Sequence, residues 1–323
     1  MKKFKKKLKS LLHFKSEYLS VESRKCILPT RIFVPKYYEY RMGKKMDLRH
    51  PKLFSEKLNW MKVYYHDPLF TLCADKYRMR KYVEKILGPG YTVPLLGKWD
   101  RAEDIDFASL PDRFVLKANH DGGPIICADK ASFDCEAARA LLSKKLNTSQ
   151  YAKGREWSYK NIKRCIIAED LLGDGTSFLN NYKFFCFYGE PKYLQVESEN
   201  ESAKEFKVDY FDMEFNELPF KSGLQKANNT PKKPGSFEEM KNVAVKLSSY
   251  GEGIPLVRVD MYYTGSRIYI GELTFYTGNG MIDYDPPEWD GIIGKWMVLP
   301  KKNGWRQQKG RDNAWIKKTL LFD

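Results

Sequence analysis

Histidine is scarce in this chain, and its cysteines are unpaired in sequence. Only His13, His50, His66 and His120 occur, and Cys26, Cys73, Cys127, Cys135, Cys165 and Cys186 never form a CxxC pair. Those counts speak against a zinc site. Most of the cysteines sit in apolar runs such as KRCIIAE and FFCFYG, as reduced core thiols of a cytosolic protein do. No apolar run approaches the ~20 residues of a membrane span. The start MKKFKKKLKSLLHF is basic like a signal peptide, but its apolar stretch is too short and no small-residue cleavage site follows. GxGxxG and GxxxxGK[ST] are both missing, which removes support for a dinucleotide fold or a P-loop. Internal repeats and low-complexity segments are absent beyond the N-terminal lysine run.

What is present suits a folded chain with a large core. Of 323 residues, 42% are apolar and 15% aromatic, enough for one large domain or two. The balance is basic, with 56 Lys and Arg against 41 Asp and Glu, but the excess is local. Residues 1–49 carry 15 basic and four acidic side chains, so the rest of the chain is near neutral. Within residues 2–19, Phe4, Leu8, Leu11, Leu12, Tyr18 and Leu19 fall on one helical face among lysines. That pattern suits a basic helical arm lying on an anionic membrane surface; the plainer reading is a solvated basic arm. Nucleic acid is disfavoured, because the basic excess does not continue through the fold.

Periodicity gives helices over SEKLNWMKVYYHDPLFTLCADKYRMRKYVEKIL and SFDCEAARALLSKKLN. A third, SFEEMKNVAVKLSS, carries a capping-box pattern at Ser236 and Glu239. YTVPLLGKW, RFVLKANH, PIICAD and KRCIIAEDLL read as strands. NYKFFCFYGEPKYLQVES reads as a hairpin turning at Gly189-Glu190-Pro191, and VRVDMYYTGSRIYIGELTFYT as another. The order predicts an α+β fold with mainly antiparallel sheets, flanking helices and an N-terminal basic helical arm. The segments are an arm and lead-in at 1–49 and a helical subdomain at 50–110. A lid subdomain with a glycine turn follows at 111–182, a second sheet subdomain at 183–300 and a basic tail at 301–323.

The last hairpin holds two acids in apolar company. Strand alternation puts Arg258 and Asp260 on one face of the first strand, and Glu272 and Thr274 on one face of the second. A pairing in which indices sum to 532 sets Asp260 opposite Glu272 and Arg258 opposite Thr274, with Val259 and Leu273 behind. An odd-length loop gives that register, whereas a two-residue Gly265-Ser266 loop gives 531 and parts the acids; the clean segregation favours the odd loop. Opposed carboxylates lie ~5 Å apart and repel by roughly 3 kcal/mol at an effective dielectric of ~20. Arg258, a shared proton or a divalent cation would offset this; Asp, Glu and Thr oxygens suit Mg2+, and an Arg–Asp–Glu surface network is the plain alternative.

Two further clusters accompany it. Lys117 precedes the turn Asp121-Gly122-Gly123, a flexible backbone beside a cation that suits a nucleotide phosphate or simply closes a hairpin. The apolar strand IIAEDLL ends in Glu169 and Asp170, which suits an adenine and ribose or an ordinary strand end.

Taken in order, these stretches resemble the TupA-like branch of the ATP-grasp superfamily, named for teichuronopeptide biosynthesis. The carrying segments are EKLNWMKVYYHDPL, ADKYRMRKYV, LPDRFVLKANHDGG, GREWSYKNIK, IIAEDLL, NYKFFCFYGEPK, VRVDMY and GELTFYTGNG, spanning roughly 53–300. The resemblance implies an ATP-grasp fold with ATP and Mg2+ as cofactors. It implies Lys117 on the phosphates under the Asp121, Gly122 and Gly123 lid, and Ala168, Glu169 and Leu171 at the adenine–ribose end. Asp260, Glu272 and Thr274 would hold the metal, with Thr274 where many relatives have Asn. Arg258 would stabilise the transferring phosphate, Lys183 would face nucleotide or acceptor, and Lys76 would be a further nucleotide contact. Asn119, His120 and Arg155 would lie on the acceptor side. The implied reaction is ATP-dependent ligation of an amino acid or other amine to a sugar carboxylate through an acyl phosphate. Its setting would be cell-surface polysaccharide biosynthesis in the cytoplasm, peripheral to the inner face of the membrane. Three alternatives remain at this stage: a kinase on the same fold, a glycosyltransferase using Asp283-Tyr284-Asp285, and a non-catalytic membrane-peripheral scaffold.

Overall fold

The computed structural model describes residues 28–173, 179–200 and 205–322. The basic arm expected over 2–19 lies outside them. Two antiparallel sheets organise the chain. The first has the order β1-β4-β2-β3, from Leu95–Trp99, Ile166–Asp170, Phe114–Ala118 and Ile125–Cys127. Helix α5 (Cys135–Asn147) covers one of its faces, packing Ala138 and Leu142 on Phe114, Leu116, Ile166 and Ala168. Its start is fixed by Asp134, whose carboxylate accepts from the Ala137 N–H. Alternation then turns Lys117 and Glu169 to the opposite face.

The second sheet has the order β7-β6-β5-β8-β9: Glu205–Phe211, Glu190–Asn200, Asn181–Phe187, Val257–Tyr263 and Ile268–Thr274. Central β5 is buried at every position. Helix α7 (Phe237–Ser248) lies against one face, where Phe184 meets Phe237 and Val259, Met261 and Leu273 complete the core. Ser236 makes no side-chain cap, so the capping box expected there does not form; Phe237 and Met240 anchor the helix by burial instead. The β5–β6 hairpin turns at Tyr188 and Gly189, one residue earlier than the sequence suggests, both in the left-handed region. A Cβ on Gly189 would also crowd the Ser249 side chain.

After α1 (Thr30–Met42), helices α2 (Phe54–Tyr64), α3 (Pro68–Ala74) and α4 (Met79–Leu87) pack on the second sheet, and the short α6 (Gln150–Gly154) precedes β4. The C-terminal segment packs back: Trp305 is buried, and Arg311 forms a fully buried ion pair with Asp67. Among the described residues, no helix is long and apolar enough to cross a membrane.

Candidate functional site

The β8–β9 hairpin carries the chemistry. Asp260 pairs directly with Glu272, Arg258 with Thr274 and Val259 with Leu273. Nearer the turn the register differs: Met261 pairs with Ile270 and Tyr262 with Tyr269, one residue out of step. The Thr264 N–H bonds to the Arg267 carbonyl, closing a loop of Gly265 and Ser266. The expected odd loop is therefore corrected. The loop has two residues, and a bulge at Gly271 supplies the extra one that brings the acids back into opposition. Glycine is needed there, since a Cβ would come within 2.8 Å of the Tyr262 ring.

Arg258 offsets the repulsion between the acids. Its Nε and Nη2 bond the two Asp260 carboxylate oxygens at 2.7 Å each, a bidentate pair. Nη2 also reaches Glu272 at 3.0 Å and Thr274 Oγ1 at 3.2 Å, while Nη1 donates to Thr277 at 3.1 Å. Two lysines join from other elements. Lys183, opposite Asp260 on β5, lies 3.4 Å from it and 2.7 Å from Glu197. Lys76, between α3 and α4, pairs with Glu272 at 3.1 Å, and its backbone N–H bonds the Asn119 carbonyl beyond β2. Lys76 thus ties the two sheets together at the site.

The two acids sit in different surroundings. The Asp260 side chain is 2% exposed and that of Glu272 34%. Burial raises Asp260, against the pull of Arg258 and Lys183. Burial also pushes Glu272 upward, but Lys76, Arg258 and Lys183 hold it well below the usual carboxylate range. Glu272 is therefore a standing anion on the accessible side, with the Thr274 hydroxyl 3.1 Å away.

The first sheet contributes a second charged group. Lys117 Nζ lies 2.6 Å from Glu169, which also pairs with Arg80 at 3.1 Å. Ala168 sits behind, in the core under α5. At the end of β4, Asp170 and the following Leu171 border a cleft of about 510 Å3 with Pro94, Arg113 and Tyr269. In the glycine turn, Asp121 accepts from its neighbour Gly122 N–H at 2.8 Å and pairs with Lys145 at 3.0 Å. Gly122 has open space around it, and Gly123 takes the left-handed conformation.

The three residues expected on the acceptor side make hydrogen bonds and ring contacts within the fold. Asn119 is fully buried, donating to Asp75 at 2.8 Å and to the Lys163 carbonyl at 2.9 Å. His120 donates from Nε2 to the Thr148 carbonyl at 3.1 Å, and burial lowers its pKa to about 4. Arg155 stacks over Phe33 and Tyr151. Sequence reasoning passed over Glu197, Arg80, the buried Lys62 and the half-buried Glu156. Burial lowers the Lys62 ammonium and raises the Glu156 carboxyl, and the field of Glu272 adds to the latter. Lys62 donates to both the backbone and side-chain oxygens of Asn279, in the loop after β9.

The donor set fits a divalent cation in kind. Asp260, Glu272 and Thr274 present hard oxygens on one face, and Mg2+ needs only one or two carboxylates when phosphate oxygens and water complete its shell. Among the described residues no group of three or more His, Cys, Asp or Glu gathers as a self-sufficient metal site. The cations around the pair, Arg258, Lys183 and Lys76, match a polyphosphate.

A family model described as TupA-like ATPgrasp matches residues 56–298, about three quarters of the chain. No curated protein matches. Among solved structures, the chain is similar to the ATP-grasp ligase PsnB complexed with a minimal precursor. Identity is 12% and TM-score 0.40, over 75% of this chain and 67% of that one. D-alanine–D-alanine ligase from Bacillus anthracis matches at 14% identity and TM-score 0.40, over 82% of this chain and 69% of its own. L-amino acid ligase from Bacillus licheniformis matches at 15% and 0.39, over 64% and 44%.

Proposed function

Because this chain belongs to the TupA-like ATP-grasp family, and so to the ATP-dependent ligases, we propose that it joins an amine to a carboxylate substrate through an acyl phosphate. The observation that carries this reading is the Arg258-bridged Asp260–Glu272 pair, with Lys183 and Lys76 closing in from two other elements.

In this reading Lys117 and the backbone of Asp121, Gly122 and Gly123 hold ATP phosphates, and Ala168, Glu169 and Leu171 border the adenine and ribose. Lys76 stands between the two sheets, where it can leave Glu272 for a phosphate oxygen without moving its backbone anchor on Asn119. Asp260, Glu272 and Thr274 would hold Mg2+, whose charge, when bound, neutralises the phosphates. Arg258 keeps a fixed guanidinium beside the point where negative charge grows as the γ-phosphoryl leaves ATP for the carboxylate oxygen. Lys183 adds a second fixed cation on the same face. The amine then attacks the acyl carbon, phosphate departs with its bonding electron pair, and the amine nitrogen gives up a proton.

We assign the carboxylate to a sugar or glycan, and the setting to surface-polysaccharide biosynthesis at the inner face of the membrane. Both assignments rest on the family's name and on the amphipathic basic arm, residues 2–19. Two assays test the reading. ADP release should require Mg2+ and a carboxylate, with the amide product appearing only when an amine is added; carboxylate-independent turnover would refute ligation. Removal of residues 1–20 should weaken binding to phosphatidylserine vesicles and spare ADP release; unchanged vesicle binding would refute the membrane assignment.

A further inference from the structure

On the face that carries Arg258, the second sheet extends past the acids into a distinct cavity of about 330 Å3. Its floor is β5, β6 and β7, through Phe185, Tyr193, Gln195 and Tyr210; its roof is the loop after β9, through Thr277 and the stretch 281–284. Arg258 and Thr277, joined at 3.1 Å, form the wall it shares with the charged cluster. The volume is at the low end for ligand sites, enough for one small molecule or one ring and not for a polymer.

Two features of this space favour a ligand. The Tyr193 hydroxyl is fully buried on the floor, beside the Tyr284 side chain of the roof, and makes no hydrogen bond of good geometry. Buried hydroxyls are rarely left so, because an unmet donor costs free energy. Its ring stacks on Phe185 with centroids 4.1 Å apart, so the hydroxyl cannot swing away. The cavity is also polarised. The cation Arg258 stands at the inner end, and the exposed carboxylate of Asp283 stands on the roof. Between them lie the Gln195 amide and the linked hydroxyls of Tyr210 and Ser222.

Resting on the ligase reading above, we propose that this cavity binds the carboxyl substrate: a small acid with its carboxylate against Arg258 and its hydroxyl or ammonium groups toward Tyr193, Gln195 and Asp283. Aromatic walls with interspersed acceptors suit such a molecule, whereas a purely aliphatic acid would give the buried Tyr193 hydroxyl no ligand partner. The placement sets the carboxylate beside the guanidinium that also bridges Asp260 and Glu272, so acceptor and phosphate would meet across Arg258. Asp283, read from sequence as half of an Asp-x-Asp pair, takes a substrate role here, because Asp285 is held away by a backbone bridge to Lys221.

Calorimetry on the full chain tests this, with and without Mg-AMPPNP, using glucuronate, glucose, alanine, alaninamide and acetate. Glucuronate against glucose reads a hydroxylated ring acid; alanine against alaninamide reads an amino acid. The expected result is binding of glucuronate or alanine at least about tenfold tighter than its counterpart lacking the carboxylate and than acetate. Tyr193→Phe, which keeps the stack, should weaken that binding about fivefold. Ile282→Trp, which fills the roof, should abolish it, both variants binding Mg-AMPPNP like the parent chain. Equal acid binding in the parent and both variants, or no acid binding at all, overturns the proposal. Failure of Mg-AMPPNP to bind counts against the ligase reading instead, and the nucleotide-free titration still decides the cavity.

Discussion

Asp260 and Glu272 are direct cross-strand partners bridged by a single nitrogen, Arg258 Nη2, at 2.7 and 3.0 Å. Neutralising either acid should therefore remove the site's chemistry. Glu272→Gln, on the accessible side, should lower Mg-ATP turnover by about 100-fold or more while a cooperative thermal transition remains. Asp260→Asn should do the same and also destabilise the fold by about 3 kcal/mol, because its buried partner Arg258 loses a bidentate anion. Steady-state ADP release and chemical denaturation separate the two effects.

The bulge at Gly271 brings the acids together above a two-residue loop. Deleting Gly271 should close the bulge and set Glu272, now next to Ile270, still opposite Asp260, so ADP release should be retained. Gly271→Ala keeps the register but crowds Tyr262, and should cost about 1–3 kcal/mol. Urea denaturation of the alanine variant and ADP release by both measure this.

Much of this hairpin was legible before the structure. Alternation alone separated Arg258, Asp260, Glu272 and Thr274 from Val259 and Leu273, and that separation holds. The bulge was not read, although its trace is in the sequence: the buried apolar positions are even-numbered at Ile268 and Ile270 and odd-numbered at Leu273 and Phe275. A parity switch across a glycine is the signature of one inserted residue. The pairings Lys76–Glu272, Lys183–Asp260 and Arg80–Glu169 join residues about 80 to 200 positions apart, and no local pattern sets them. The partners of Asn119 and His120 are as distant: Asp75 and the Thr148 carbonyl lie 44 and 28 positions away, outside any local pattern at the glycine turn. The Ser236 capping box failed because burial of Phe237 and Met240, not the cap, fixes that helix.

Lys117 should matter for nucleotide binding more than for the fold. Its only ion-pair partner among the described residues is Glu169, which keeps Arg80 when the lysine is removed. Lys117→Met should raise KM for ATP about tenfold or more, with a smaller change in thermal stability. Equal KM values in parent and variant would remove Lys117 from the phosphate site.

His120 predicts an acid sensitivity. Burial, with Arg164 and Lys76 nearby, lowers its pKa from the usual 6.5 to about 4, and only the Thr148 carbonyl and Asp121 oppose this. Between those values the unfolded chain binds a proton that the folded chain refuses. Stability should then fall on acidification by up to about 1.4 kcal/mol per pH unit. In His120→Gln the loss between pH 7 and pH 5 should shrink by about 2 kcal/mol, as measured by denaturation at the two pH values.

The most direct test of the central claim is hydroxylamine trapping of the acyl phosphate. The chain is incubated with Mg-ATP, glucuronate or alanine, and hydroxylamine, and hydroxamate and ADP are measured together. Equal amounts of both, with neither formed by Glu272→Gln, is the predicted result. ADP without hydroxamate, or undiminished turnover by Glu272→Gln, would contradict ligation at the Asp260–Glu272 pair.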